Sequence, residues 1–319
     1  MAFFKLLLSI AVSLLALAVL AACAPVRALN LLASASGGSA VEEGVPYGVR
    51  ARQKLDVYKP TSAMPAGGWP VVVFFYGGSW NTGERSEYRF VARALAARGV
   101  ITLVADYRLY PEVRYPEFLN DSAQALAWGL TQAARLGGDP RRVFVMGHSA
   151  GAYNAAMLAL DARWLVSTGH APSELAGWIG LAGPYDFFPT DNKDVQPVFF
   201  HPNYPARAQP IEFPSKGAPR SFLAAPANDK IVSPTRSTIS LADKLEAAGV
   251  PVTLEIYERT SHTTLVGAFS PPLRWLAPVF EDVLAFIAAA PRPGEADRMV
   301  VGRGIDSLRS APILLRSAP

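Results

Sequence analysis

Arg142-Val143-Phe144-Val145-Met146-Gly147-His148-Ser149-Ala150-Gly151-Ala152-Tyr153 is the stretch that decides the fold of this chain. Arg142 to Met146 is a short β-type run, and the Ala- and Leu-rich segment from Ala150 to Leu160 reads as a helix. Between them lies Gly147-His148-Ser149-Ala150-Gly151, a G-x-S-x-G string in a strand-to-helix context. The spacing has a physical reason. A serine on so tight a turn projects its Oγ from the end of the sheet, and the two glycines leave room for strand and helix to approach closely. The helix starting at Ala150 then aims its first amides and positive dipole end at any negative charge developing beside Ser149. Ser149 is therefore the candidate nucleophile.

Apolar β-type runs alternate with helical patterns on either side of this turn, which implies a mostly parallel sheet with helices on both faces. Expected strands are Lys54 to Tyr58, Pro70 to Phe75, Val100 to Ala105, Trp178 to Ala182, Ser221 to Ala225 and Val252 to Tyr257. Expected helices are Ser86 to Arg98, Phe118 to Leu136, Thr235 to Ala248 and Pro278 to Ala290. Pro184 to Pro219 has no period and is crowded with proline and aromatic residues, among them Tyr185, Phe187, Phe188, Phe199, Phe200, Tyr204 and Phe213. It reads as an insertion over the sheet edge that could cap a substrate cleft. The tail from 291 to 319 carries no core pattern.

Tyr76-Gly77-Gly78-Ser79-Trp80 follows the Pro70 to Phe75 strand. With the elbow, it resembles the hormone-sensitive-lipase-like esterases and the related carboxylesterase and formamidase groups of the α/β-hydrolase superfamily, which carry His-Gly-Gly-Gly there, often followed by Trp. The resemblance implies an α/β-hydrolase fold and an oxyanion hole built from the backbone amides of Gly78, Ser79 and Ala150. Tyr76 and Ser79 depart from the family string, and backbone donors survive both changes. Asp106-Tyr107-Arg108-Leu109-Tyr110-Pro111-Glu112 resembles a further family segment, which makes Asp106 and Arg108 organisers of the adjoining loop.

An α/β-hydrolase orders its chemistry along the chain as Ser, acid, His. The chain has four histidines, His148, His170, His201 and His262. His148 sits inside the elbow and cannot turn back on Ser149. His170 and His201 precede the late strands, in loops without matching context. His262 follows the Val252 to Tyr257 strand, where the family places its catalytic histidine. For the acid, Asp229 follows the Ser221 to Ala225 strand in a segment resembling the family's D-x-x-V, and Asp186, after the preceding strand, is the competitor. The expected triad is Ser149, Asp229 and His262. The implied activity is hydrolysis of a small carboxylic ester through an acyl-enzyme. An arylformamidase-type amide hydrolase, or a binding module on the same fold that has lost activity, are the alternatives. No H-E-x-x-H, cysteine pair or histidine cluster suggests a metal or other cofactor.

Half of the 319 residues are hydrophobic and 18% are charged, which allows a sizeable core. The formal net charge of +4 is spread without a Lys/Arg run, so no nucleic-acid footprint is present. At the N-terminus Lys5 precedes an uncharged apolar run from Leu6 to Leu20, the order of a targeting signal. About 15 apolar residues are short for a span that needs about 20. Leu20-Ala21-Ala22-Cys23 resembles the lipobox of bacterial lipoproteins, and Cys23 is the one cysteine in the chain. The resemblance implies a signal peptide over 1–22 and a diacylglycerol on Cys23, with simple secretion as the alternative. Residues 23–47, Ser/Gly/Ala-rich from Asn30 to Gly44, read as anchor and tether, 48–290 as the hydrolase domain and 291–319 as a tail. A lipid-anchored, periplasm-facing envelope protein is the expected location.

Overall fold

The computed structural model describes Asn30 and residues 39–290. Eight strands form one sheet, β1 (Ser39–Pro46), β2 (Lys54–Pro60), β3 (Trp69–Phe75), β4 (Ile101–Ala105), β5 (Gly138–His148), β6 (Gly177–Leu181), β7 (Ser221–Pro226) and β8 (Val252–Tyr257). Their spatial order is β1-β2-β4-β3-β5-β6-β7-β8. β1 and β2 run antiparallel to their neighbours, and β3 through β8 are parallel. The helices used below are α1 (Arg89–Ala96), α2 (Glu117–Gln132), α3 (Ala150–Leu160), α4 (Arg163–Val166), α5 (Ser240–Ala247), α6 (His262–Gly267) and α7 (Val279–Ala288).

Strand alternation puts helices on both faces. Val73 pairs with Val145 across β3 and β5, and α2 lies against that face, where Gly129 sits so close to Val73 and Leu103 that any larger residue would collide. Phe144, one residue on, points the other way and meets Phe286 of α7, which also touches Phe222 of β7. Central strands buried on both sides account for the continuous apolar runs: every residue of β4, β6 and β7 is buried. Helix α3 is buried along its whole length, which is why it reads as Ala- and Leu-rich throughout rather than as a stripe.

Two expectations need correction. Residues 39–46 were read within the tether, yet they form β1, in register with β2 from Ser39 opposite Pro60 to Pro46 opposite Lys54. Polar, largely exposed edge strands lack the alternation that marks a strand, so composition masked this one. Its hold is polar: the Gly44 amide donates to Asp56 at 2.8 Å, and Arg89 pairs with Glu43. Asn30 is also engaged, its side-chain amide donating to the Ser86 and Glu87 carbonyls at 2.8 and 2.7 Å. Second, the expected Ser86 to Arg98 helix is a 3₁₀ turn (Arg85–Tyr88) followed by α1, and Thr235 to Ala248 opens with a π turn before α5. The 184–219 insertion is packed through its aromatic residues. Phe187 stacks on Trp80 and Phe199 meets it edge-on, with centroids 5.9 and 4.9 Å away, and Phe199 also meets Phe118 and Tyr153. Tyr153 of α3 donates to the Ala208 carbonyl at 2.6 Å, and Gln209 accepts from the amides of Phe187 and Phe188.

The parallel register brings the carboxyl ends of the strands to one edge. Phe75 lies level with Ala105 and Gly147, His148 with Leu181, and Leu181 with Ala224. Loops leaving that edge carry Tyr76 to Trp80, Ser149, Asp229 and His262.

Candidate active site

Ser149 has φ +54 and ψ −123, a region that a residue with a β-carbon adopts only at a cost of about 1–3 kcal/mol. The elbow around it is as close as the sequence spacing requires. A β-carbon on Gly151 would stand 2.6 Å from the Tyr76 carbonyl oxygen and nearer still to that of Phe75. One on Gly147 would run into the backbone of Gly151, and one on Gly77 would stand 2.8 Å from Ser149 Cβ. Glycine is thus needed where strand, helix and Tyr76–Trp80 loop converge.

Asp229, His262 and Ser149 come together at this edge. His262 Nε2 lies 2.8 Å from Ser149 Oγ, and His262 Nδ1 lies 2.7 Å from Asp229 Oδ2. The other Asp229 oxygen accepts from the amides of Ile231 and Val232 at 2.8 and 3.2 Å. Burial alone would raise the Asp229 carboxyl, but the hydrogen bond and charge of His262, with these two amides, outweigh it and hold the group below its ordinary value. Asp229 therefore stays ionised and fixes which His262 nitrogen faces Ser149. Asp186 is elsewhere: its carboxylate takes Arg236 at 3.0 Å. His170 bonds Glu174 and Thr131, and His201 bonds Tyr204.

The amides of Gly78, Ser79 and Ala150 have no acceptor among the described residues. Ser79, Ser149 and Ala150 line one cavity of about 60 Å³ with Trp80, Pro184, Phe187, Val195, Ile231 and Val232. Three larger surface hollows, of about 540, 520 and 320 Å³, lack these residues. Cavity size alone would point to them, but the small one is lined by the hydroxyl that meets His262 and by two of the residues whose amides have no acceptor.

Tyr76, which departs from the family string, is held by a buried polar brace. Its hydroxyl donates to Asp106 at 2.9 Å and accepts from Arg52 at 2.6 Å. Burial, then the charge of Asp106, pushes that hydroxyl well above its ordinary 10, so it remains the donor. Asp106 also takes the amide and guanidinium of Arg85, and the Tyr107 hydroxyl donates to the Tyr76 carbonyl at 2.8 Å. Arg108 grips Asp121 with two bonds of 2.8 Å. Asp106 and Arg108 thus organise the loop, as their sequence context implied.

One residue set aside on sequence grounds has a role in this arrangement. His148 does not reach Ser149, but its Nε2–H donates to the backbone carbonyl of His262 at 2.9 Å, and Tyr88 hydroxyl lies 3.3 Å from its other nitrogen. Burial, then the neighbouring His262, drives His148 down to about 3, so the ring is neutral. The elbow and the His262 loop are joined through it. The signal in the sequence was a histidine at the variable position of the elbow, beside an apolar strand that leaves it nowhere exposed to go.

Cys23 and residues 291–319 lie outside the described residues. Among the described residues no helix is long and apolar enough to cross a membrane.

Comparison with known proteins agrees with this geometry. The chain is 27% identical over 275 residues to an isoprenylcysteine alpha-carbonyl methylesterase of Arabidopsis thaliana, covering 80% of this chain and 64% of that protein. It thus spans less than two thirds of the length of that relative. Carboxylesterase NlhH of Mycobacterium tuberculosis is 46% identical over 95 residues, 30% of each chain. An esterase structure from Pyrobaculum calidifontis superposes with a TM-score of 0.67 at 21% identity, over 84% of this chain and 91% of that one, which shows the shared fold. The BD-FAE family model matches residues 55–245, which contain Tyr76–Trp80, Ser149 and Asp229, and the chain belongs to that family.

Proposed function

We propose that this protein is a serine carboxylesterase acting on esters with small acyl groups, through an acyl-enzyme on Ser149. The observation that carries the reading is the Asp229–His262–Ser149 relay opening into a cavity of about 60 Å³ beside three free amides. His262 Nε2 takes the hydroxyl proton as Ser149 Oγ attacks the acyl carbonyl. Asp229 holds the imidazole tautomer and stabilises the imidazolium. The amides of Gly78, Ser79 and Ala150 receive the oxyanion, each such donor being worth about 10²–10³ in rate. His262 then protonates the departing alcohol, and water, activated by the same nitrogen, releases the acid. The small-acyl preference rests on the walls: Trp80 is buried and Phe187 packs on it, so the acyl side cannot deepen without moving the insertion.

A fluorophosphonate probe should label Ser149, and p-nitrophenyl acetate to butyrate should turn over faster than octanoate or longer. Ser149→Ala should lower kcat by about 10⁴–10⁶ with the fold intact. A folded Ser149→Ala protein of near-normal activity would end the reading. Rapid hydrolysis of N-formylarylamines with slow ester turnover would replace it with the formamidase alternative.

The envelope location is also a proposal. The charged n-region, the apolar run and Leu20-Ala21-Ala22-Cys23 support lipidation, and β1 begins sixteen residues beyond Cys23. Two acyl chains hold a protein firmly at a membrane where one does not, since each buried CH₂ contributes about 0.8 kcal/mol. Mass spectrometry of the mature protein should find diacylglyceryl-Cys23 at the N-terminus. An unmodified Cys23, or an N-terminus beyond it, would favour simple secretion.

A further inference from the structure

The loop after β3 holds three successive residues at positive φ: Gly78 at +128, Ser79 at +49 and Trp80 at +58. Gly78 is required there, because a β-carbon would run into the Thr82 backbone. The next two carry side chains in a region that favours glycine, and each must be held there by something. For Trp80 the hold is visible. Its ring is buried, its Nε1–H donates to Asn154 at 2.9 Å, and it packs against Tyr153 and Phe199. Nothing comparable holds Ser79. Its side chain is partly exposed on the wall of the cavity that contains Ser149, and among the described residues its hydroxyl has no hydrogen-bond partner. Glycine at this position would offer the same amide without the strain. The feature that only serine adds is a hydroxyl on a residue that lines the cavity containing Ser149.

We propose that the Ser79 hydroxyl is a further oxyanion donor, acting beside the amides of Gly78, Ser79 and Ala150. The inference rests on the esterase reading above and deepens it. A serine hydroxyl and the amide of the same residue branch from one Cα, so a single acceptor can take a hydrogen bond from both. With no protein partner to give up, the O–H can rotate onto the carbonyl oxygen as that oxygen gains charge. The benefit falls on the transition state more than on bound substrate, because hydrogen bonds to an anionic oxygen are about twice as strong as those to a neutral one. Ser79 is on this reading a catalytic residue, touching a reacting atom.

The test separates the hydroxyl from the strain. Ser79→Ala keeps the β-carbon and loses the O–H; Ser79→Cys keeps size with a weak donor; Ser79→Gly loses both the O–H and the strain. All three should lower kcat on p-nitrophenyl acetate by about 10- to 100-fold with KM within about twofold, at or below the 10²–10³ that one oxyanion donor is worth, because this hydroxyl shares the oxyanion with three amides. The affinity of a trifluoromethyl ketone, which forms an oxyanion on Ser149, should weaken by the same factor. Ser79→Gly alone should also melt above wild type. If Ser79→Ala and Ser79→Cys fold and match wild type in both kcat and inhibitor affinity, the assignment is wrong, and a loss confined to Ser79→Gly would mean that loop conformation matters and the hydroxyl does not. Fluorophosphonate labelling of the wild type keeps the two levels apart. A labelled, active enzyme indifferent to Ser79 overturns only this inference, whereas a wild type that neither labels nor cleaves esters overturns both.

Discussion

Gly151→Ala is the sharpest single test of how the fold makes the site. The added methyl would start 2.6 Å from the Tyr76 carbonyl oxygen and closer to that of Phe75, against the 3.4 Å at which ordinary contact begins. Both neighbours are backbone at the end of a central strand, so no side chain can swing aside. Strand β3 and helix α3 must part by roughly an ångström. Such overpacking costs about 1–3 kcal/mol, while alanine returns up to about 1 kcal/mol of helix propensity. The net loss of stability is therefore about 0–3 kcal/mol, at roughly 2–4 °C in Tm per kcal/mol for a domain of this size. Activity should suffer much more. The two elements being parted carry the Ala150 amide and Ser149 on one side and the Tyr76–Trp80 loop on the other. A misplacement of about 1 Å between nucleophile and donors costs about 10² in rate. Urea unfolding and kcat on p-nitrophenyl acetate should thus diverge, with a stability loss within that range and about a hundredfold loss of turnover. Gly217→Ala, where a β-carbon meets nothing within 4 Å, should change neither by much. A folded Gly151→Ala enzyme with kcat within threefold of wild type would refute the claim that this close approach sets the site geometry.

Asp229→Asn should lower kcat by about 10⁴ by favouring the wrong His262 tautomer, while Asp186→Asn, whose carboxylate meets Arg236, should stay within a few-fold of wild type; the reverse ranking would transfer the role to Asp186. His148→Gln should flatten the acid side of the stability curve. The ring's ordinary value of 6.5 is lowered to about 3 in the fold, so the unfolded chain binds the extra proton between those values. Wild-type stability is then fully present above about pH 6.5 and falls toward pH 3, by up to about 1.4 kcal/mol per pH unit from this group. Asp229, lowered in the fold, adds its own loss only below the ordinary carboxylate range. Urea unfolding between pH 4 and 7 reads the first window, and an unchanged slope in His148→Gln would show that the buried ring is not its source.

Much of this protein was legible in its residues because the decisive constraints are local. A serine between two glycines at a strand-to-helix turn, apolar runs long enough to be buried on both faces, and the order of Ser, Asp and His along the chain all act over a few residues or through chain order. They sufficed for most of the sheet and for Ser149 in its elbow at the end of β5, while the choice of Asp229 and His262 in the loops after β7 and β8 came from the family resemblance. What stayed hidden depends on partners distant in sequence. Residues 39–46 are a strand only because β2 offers its edge and Asp56 holds Gly44. Asp186 and Asp229 follow adjacent strands in similar loops, and only packing gives one of them Arg236 and the other His262. His148 joins the elbow to a carbonyl 114 residues away, and the aromatics of the insertion find Trp80 through the fold rather than through any period in the chain. Hydrogen bonds and ring contacts of that kind carry no repeat along the sequence. The tertiary structure alone decides which of many chemically able side chains come within 3 Å of one another.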